Sequence, residues 1–219
     1  MHSIGTSLIG SMAWDDESTW DDVDIIHMYS HSPADIFAGI ESEINTSKTG
    51  PLHYTSVELK KLVDLLKSGD VKMYLAVVSP SVLSSTPWLL SLKGVLLRSP
   101  TLAIVQGLKV YMEVMLQMGR ETDNEEIRMH RFRNAYRFAK FGTHYYTKCG
   151  IDFPVVPQVT EEEVVAAIEE FNAAVETRRT GDPADKIKYI ETMPEQALER
   201  WLIKTRYDLF RLEEDIITK

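Results

Sequence analysis

The run Asp22-Val23-Asp24-Ile25-Ile26 alternates acid with apolar residue before turning fully apolar, and a period of two belongs to a β-strand rather than a helix. In an extended chain Asp22 and Asp24 project from one face, while Val23 turns to the other and, on this reading, into the core. Two carboxylates held side by side repel unless a cation lies between them. A hard divalent cation such as Mg²⁺ or Mn²⁺ suits that position, because it takes oxygen ligands and leaves places for water and substrate phosphate. Upstream, Gly5-Thr6-Ser7-Leu8-Ile9-Gly10 reads as a small-residue turn. There Gly5 allows close backbone approach to a phosphate, and the Thr6 and Ser7 hydroxyls donate to its oxygens. Turn and acid pair together point to metal-dependent phosphoryl transfer. The plainer reading of the same residues is a loop punctuated by Gly5 and Gly10, with Asp15, Asp16, Glu17, Asp21, Asp22 and Asp24 forming one solvated acidic surface.

A chain of 219 residues, 44% of them hydrophobic, can bury a sizeable core in one large domain or two small ones. The single Cys149 excludes an internal disulfide, and no paired Cys or His spacing suits structural zinc. No apolar run reaches membrane-spanning length, so the expectation is a cytoplasmic protein with no membrane partner. A net charge of −9 argues against a general grip on nucleic acid. Charge is nonetheless segregated. Arg128, Arg131, Arg133, Arg137, Lys140 and Lys148 fall in a stretch from Arg128 to Ile151 without Asp or Glu.

The fold class expected is α+β: residues 1–86 as a mixed α/β core and 87–219 as a helical region. Strands are expected just before Gly5, over about Val23 to Tyr29, briefly at His53-Tyr54-Thr55, and over Val71 to Val78. A helix is expected from Ser32-Pro33 through about Ile44, a loop from Asn45 to Pro51, and a helix N-capped by Ser56 and ended by Ser68-Gly69. Helices should then occupy about 87–97, 101–119, 124–147, 160–178 and 194–215. Thr160 and Glu163 form the capping box of the fourth of these. Connectors are expected at Gly150 to Val159 and Thr180 to Asp185.

Arg133, Arg137 and Lys140 share one helix face by their spacing, which suits phosphate binding; pairing with the acidic helix at Glu161 to Glu170 is the structural alternative. Phe132, Tyr136, Phe138 and Phe141 read as core.

Several of these segments together resemble nucleotidyltransferases of the DNA polymerase β superfamily, in the group of RNA-ligase-associated polymerase-β-like proteins and relatives in bacteria and large phages. Gly5 to Gly10 resembles that family's Gly-Ser-x-x-x-Gly turn, and Asp22-Val23-Asp24-Ile25 its Asp-x-Asp strand. Val57-Glu58-Leu59-Lys60-Lys61-Leu62 resembles the helix after the next strand, and Val77-Val78-Ser79-Pro80 the end of the strand after that. Arg133-Asn134-Ala135-Tyr136-Arg137 resembles a basic helix motif, and Met193-Pro194-Glu195 the opening of the last helix. The similarity is patchy but spans nearly the whole chain. Where the family carries a third carboxylate this sequence has His53, Tyr54 and Thr55, and Leu75 or a neighbour replaces an acid of the following strand.

The resemblance implies a small twisted mixed sheet with helices packed on it, and transfer of a nucleotidyl group from a nucleoside triphosphate to an RNA or tRNA end or another hydroxyl. Asp22 and Asp24 would hold Mg²⁺ or Mn²⁺, His53 would act as a neutral base, and Gly5, Thr6, Ser7, Arg133, Arg137 and Lys140 would bind nucleotide phosphate. Cytoplasm here includes that of a phage-infected host. The alternative is an inactive relative serving as a nucleotide-binding or protein-interaction module. A third possibility is an antitoxin-like partner-binding protein presenting Trp88, Trp201, Tyr207 and Phe210. Oligomeric state is not legible.

Overall fold

The computed structural model describes residues 1–10, 22–98, 102–148, 156, 158–180 and 193–217. Five strands, β1 (His2–Ile9), β2 (Val23–Ser30), β3 (Ile44–Thr49), β4 (Leu52–Glu58) and β5 (Val82–Ser85), form one sheet in the order β3-β4-β2-β1-β5. β2 and β4 run parallel, and the other neighbours are antiparallel. The helices are α1 (Pro33–Phe37), α2 (Leu59–Lys67), α3 (Val71–Val78), α4 (Pro87–Arg98), α5 (Leu102–Glu121), α6 (Glu125–Lys148), α7 (Glu161–Thr180) and α8 (Met193–Ile217). This is the expected α+β architecture with a helical C-terminal region. No helix among the described residues is long and apolar enough to cross a membrane.

The first strand is longer than expected. Gly5, Thr6 and Ser7 lie inside β1 and pair with Met28, His27 and Ile26, so the expected turn is not there. Gly5 is glycine for a packing reason: a Cβ would stand 2.4 Å from Leu89 Cδ2 of α4 and 3.0 Å from the Ser84 carbonyl oxygen. The bend comes at Gly10, where φ is +70°, a conformation that L side chains resist.

Alternation in β2 also runs opposite to the expectation for Val23. Asp24 shares its side with Ile26 and Met28, both fully buried, whereas Val23 and Ile25 are only half-buried. The acids therefore stand at the rim of the helix-packed face.

Three further departures have local causes. The helix begun by the Ser32 and Asp35 capping box stops at Phe37, and Ile44–Thr49 is a strand that pairs with β4 through the two-residue turn Gly50-Pro51. β4 continues through Ser56 to Glu58, so Glu58 rather than Ser56 caps α2, its Oε2 accepting from the Lys60 N–H at 2.6 Å. Val71–Val78 is a helix rather than a strand. Asp70 caps it by accepting from the Met73 N–H, and every residue except Lys72 is buried; a short helix enclosed on all sides reads in sequence like a buried strand.

The helices beyond Pro87 fall close to their expected positions, and Thr160 and Glu163 bond reciprocally at the start of α7. α5 and α6 pack along each other, and α7 packs on α6. α8 returns to α2 and α4, where Trp201 is buried and donates its indole N–H to Ser91 Oγ at 2.8 Å. Trp201 is thus internal packing rather than a presented surface. Trp88 packs against the core, while Tyr207 is exposed and Phe210 lies beside Phe37. The connector expected at Thr180 to Asp185 lies outside the described residues after Thr180, the last residue of α7, and of that at Gly150 to Val159 only Val156, Gln158 and Val159 are described.

Candidate active site

Asp22 immediately precedes β2, whose first N–H, from Val23, donates to the Pro51 carbonyl at 2.8 Å. That bond ties the acid-bearing end of β2 to the β3–β4 turn. Two residues on, Asp24 is the parallel-ladder partner of His53, the second residue of β4. His53 Nδ1 lies 3.4 Å from Asp24 Oδ1 and 3.7 Å from Asp22 Oδ2. One ligand atom from each of Asp22, Asp24 and His53 falls within 4.8 Å of the others. The structure thus brings together the three residues that the sequence singled out. Its donor set, two carboxylate oxygens and one imidazole nitrogen, fits a divalent cation. The Nε2 of His53 is buried and has no hydrogen-bond partner among the described residues.

Gly10 is the backbone that meets this cluster. A Cβ built on it would stand 2.8 Å from Asp24 Oδ2, so any side chain there would crowd the carboxylate. Reasoning from sequence put that role on Gly5. The signal for Gly10 was present, since it directly follows the apolar strand end Leu8-Ile9.

Beside Asp22 and Asp24 opens a cavity of about 330 Å³. Its sheet side is made by Ile9, Gly10 and the two aspartates, and across from them stand Lys72 of α3, Tyr111 of α5, and His130, Arg131 and Asn134 of α6. Asn134 Nδ2 and His130 Nε2 are 3.0 Å apart, and the Tyr111 and Phe138 rings meet at 4.3 Å. Burial pushes the Tyr111 phenol pKa up, with the Arg131 guanidinium pulling it the other way. Neither Lys72 nor Arg131 has a carboxylate partner among the described residues. Among the described residues Arg131 donates only to the sulfur of Met115, at 3.5 Å. Two cations therefore face two anions across a cleft without closing on them.

The basic residues expected to bind phosphate, Arg133, Arg137 and Lys140, lie elsewhere on α6. Lys140 donates to Glu170 of α7 at 2.5 Å, a bond that raises its pKa, and Arg137 is 1% exposed. Neither they nor Arg133 lines the cavity. The helix phase explains the difference, because Phe132, Ala135 and Ala139 point into the core and leave Arg131 and Asn134 on the flank toward the acids. Thr6 and Ser7 also stand away from the cavity. The Thr6 hydroxyl is engaged with His27 Nδ1 at 3.0 Å, where burial holds the imidazole pKa below its usual value, and Ser7 is fully buried.

No family model matches the chain, and no curated protein matches it. Among solved structures, a nucleotidyltransferase-like protein from Exiguobacterium sibiricum is similar over 93% of this chain and 69% of that one, at 13% identity and a TM-score of 0.31.

Proposed function

We propose that the chain is a metal-dependent nucleotidyltransferase that moves a nucleotidyl group from a nucleoside triphosphate to an RNA end or another hydroxyl-bearing acceptor. The observation that carries this reading is the meeting of Asp22, Asp24 and His53 beside a cavity whose far wall offers Lys72 and Arg131. Asp22 and Asp24 would hold the cation between themselves and the triphosphate. A cation so placed offsets charge on the attacking and leaving oxygens. Lys72 and Arg131 supply positive charge to the phosphate oxygens, Arg131 through the planar fork that suits two oxygens at once. The acceptor hydroxyl attacks the α-phosphorus, the bond to the bridging oxygen breaks, pyrophosphate leaves, and the hydroxyl proton passes to solvent or a nearby base. Gly10 leaves the approach to Asp24 open.

The test is transfer of label from an α-labelled triphosphate, with triphosphate binding followed by calorimetry in Mn²⁺ or Mg²⁺. Expected are metal-dependent binding and its loss in the Asp22→Ala, Asp24→Ala double variant. No binding by the native chain, or no change in the variant, would end this reading. One observation favours a second reading, a nucleotide-binding or protein-interaction module that transfers nothing. Among the described residues no third carboxylate joins the cluster, and Glu58 is held at the far end of β4 by Arg206. Label transfer by the native chain would exclude it.

A further inference from the structure

We infer that His53 is the third ligand of this metal site, through Nδ1, and that the imidazole turns the site toward Mn²⁺ and its transition-series neighbours and away from Mg²⁺. The inference rests on the metal-dependent reading above, but not on nucleotidyl transfer.

The geometry lets the three donors share one cation, since one ligand atom from each lies within 4.8 Å of the others. At 3.4 and 3.7 Å, Nδ1 is too far from the carboxylate oxygens for a charge-assisted hydrogen bond, which runs about 2.7–2.9 Å. The separations are nearer the edge of roughly 3 Å that divides neighbouring ligands when metal bonds of about 2.1 Å meet at right angles. The third donor is also held firmly. His53 stands on β4 opposite Asp24 in a parallel ladder that continues through seven paired positions, so main-chain pairing keeps the imidazole at the acids. Asp24 and His53 are both largely shielded, with side chains 25% and 26% exposed, which limits how far either can swing away.

Donor chemistry then decides the metal. Mg²⁺ demands oxygen ligands and gives up its waters reluctantly, whereas imidazole nitrogen is a good ligand for the first-row transition series. Mn²⁺ keeps the preference for carboxylate oxygen and tolerates the nitrogen, so two carboxylates and one imidazole suit it better than Mg²⁺. A ligating Nδ1 has its lone pair committed to the metal. His53 therefore does not serve as the base for the acceptor hydroxyl.

The experiment uses the full chain, stripped with chelator and free of nucleotide, titrated with Mn²⁺ and with Mg²⁺ by calorimetry, and examined with Mn²⁺ bound by pulsed electron paramagnetic resonance. Expected are binding of Mn²⁺ at least about tenfold tighter than Mg²⁺ and a ¹⁴N coupling on the manganese signal. The coupling should vanish in His53→Asp and His53→Ala, and His53→Asp should shrink the Mn²⁺ to Mg²⁺ preference by about tenfold. Circular dichroism establishes that both variants are folded. Mn²⁺ bound without nitrogen coupling, or an unchanged preference in His53→Asp, overturns the inference and leaves the aspartate reading standing. Absence of any Mn²⁺ binding overturns both. Nitrogen coupling in a chain that binds no triphosphate sinks nucleotidyl transfer alone.

Discussion

At the end of β4 that enters α2, Glu58 is fully buried and both of its oxygens are engaged, Oε2 by the Lys60 N–H at 2.6 Å and Oε1 by Arg206 Nη2 of α8 at 2.7 Å. At the other end of the same strand, His53 faces Asp22 and Asp24 at 3.4 Å or more, partly exposed, beside a cavity whose cations keep their distance. One end is a closed junction that joins sheet to helix; the other is an open arrangement in which like charges sit together and opposite charges stay apart. Folding alone favours the first kind, since a buried carboxylate is tolerated only when paired and bonded. The second kind gains little for the fold; under the proposed function, a cation and a polyphosphate would complete it.

The largest effect is expected at the closed end. Glu58→Ala removes the α2 cap and leaves Arg206, whose side chain is only 21% exposed, without its carboxylate. Loss of one partner from a buried pair costs about 3–5 kcal/mol, so urea denaturation should show a destabilisation of that size. A loss below about 1 kcal/mol would mean that the pair acts like a surface salt bridge and that the two ends of β4 differ less than their geometry says.

The cleft cations sharpen the contrast, because they face acids without pairing to them. Lys72→Gln and Arg131→Gln should each weaken the binding of inorganic tripolyphosphate, measured with Mn²⁺ present, by about tenfold, or roughly 1.4 kcal/mol. Lys140→Gln, whose charge already meets Glu170, should leave that affinity unchanged. If Lys140→Gln weakened binding as much as Arg131→Gln, the polyphosphate would lie on the α7 side of α6 rather than in the cavity.

This division of labour was partly legible in the sequence. A carboxylate two residues from another in an apolar run forces both onto one side of a strand, and that held for Asp22 and Asp24 whatever lay around them. The capping box at Thr160 and the long amphipathic runs after Pro87 set the helices by local chemistry that packing did not override. What misled was everything decided by enclosure. Val71–Val78 has no polar side apart from Lys72, so its period carried no information until the neighbours that cover it were known. Gly5 and Gly10 look alike in a list of residues, yet one makes room for Leu89 and the other for Asp24. Arg131 and Arg133 lie two apart on one helix; which of them reaches the acids depends on where Phe132 and Ala135 find the core.

The smallest effect in stability should come from the open end, and it is the most direct test of the comparison. Asp24→Asn keeps the shape of the side chain and removes a charge that lies close to Asp22 and has no direct hydrogen bond to His53. Relief of the repulsion between the two acids offsets the lost attraction to the imidazole, so in the absence of metal the unfolding free energy should move by less than about 0.5 kcal/mol. In saturating Mn²⁺ the native chain should gain stability by binding, and the variant should gain far less, since ligand linkage acts only on a state that binds. The two measurements together separate a site from a support. If Asp24→Asn lowered stability without metal by as much as Glu58→Ala, the aspartate would be holding the sheet together, and both ends of β4 would be structural.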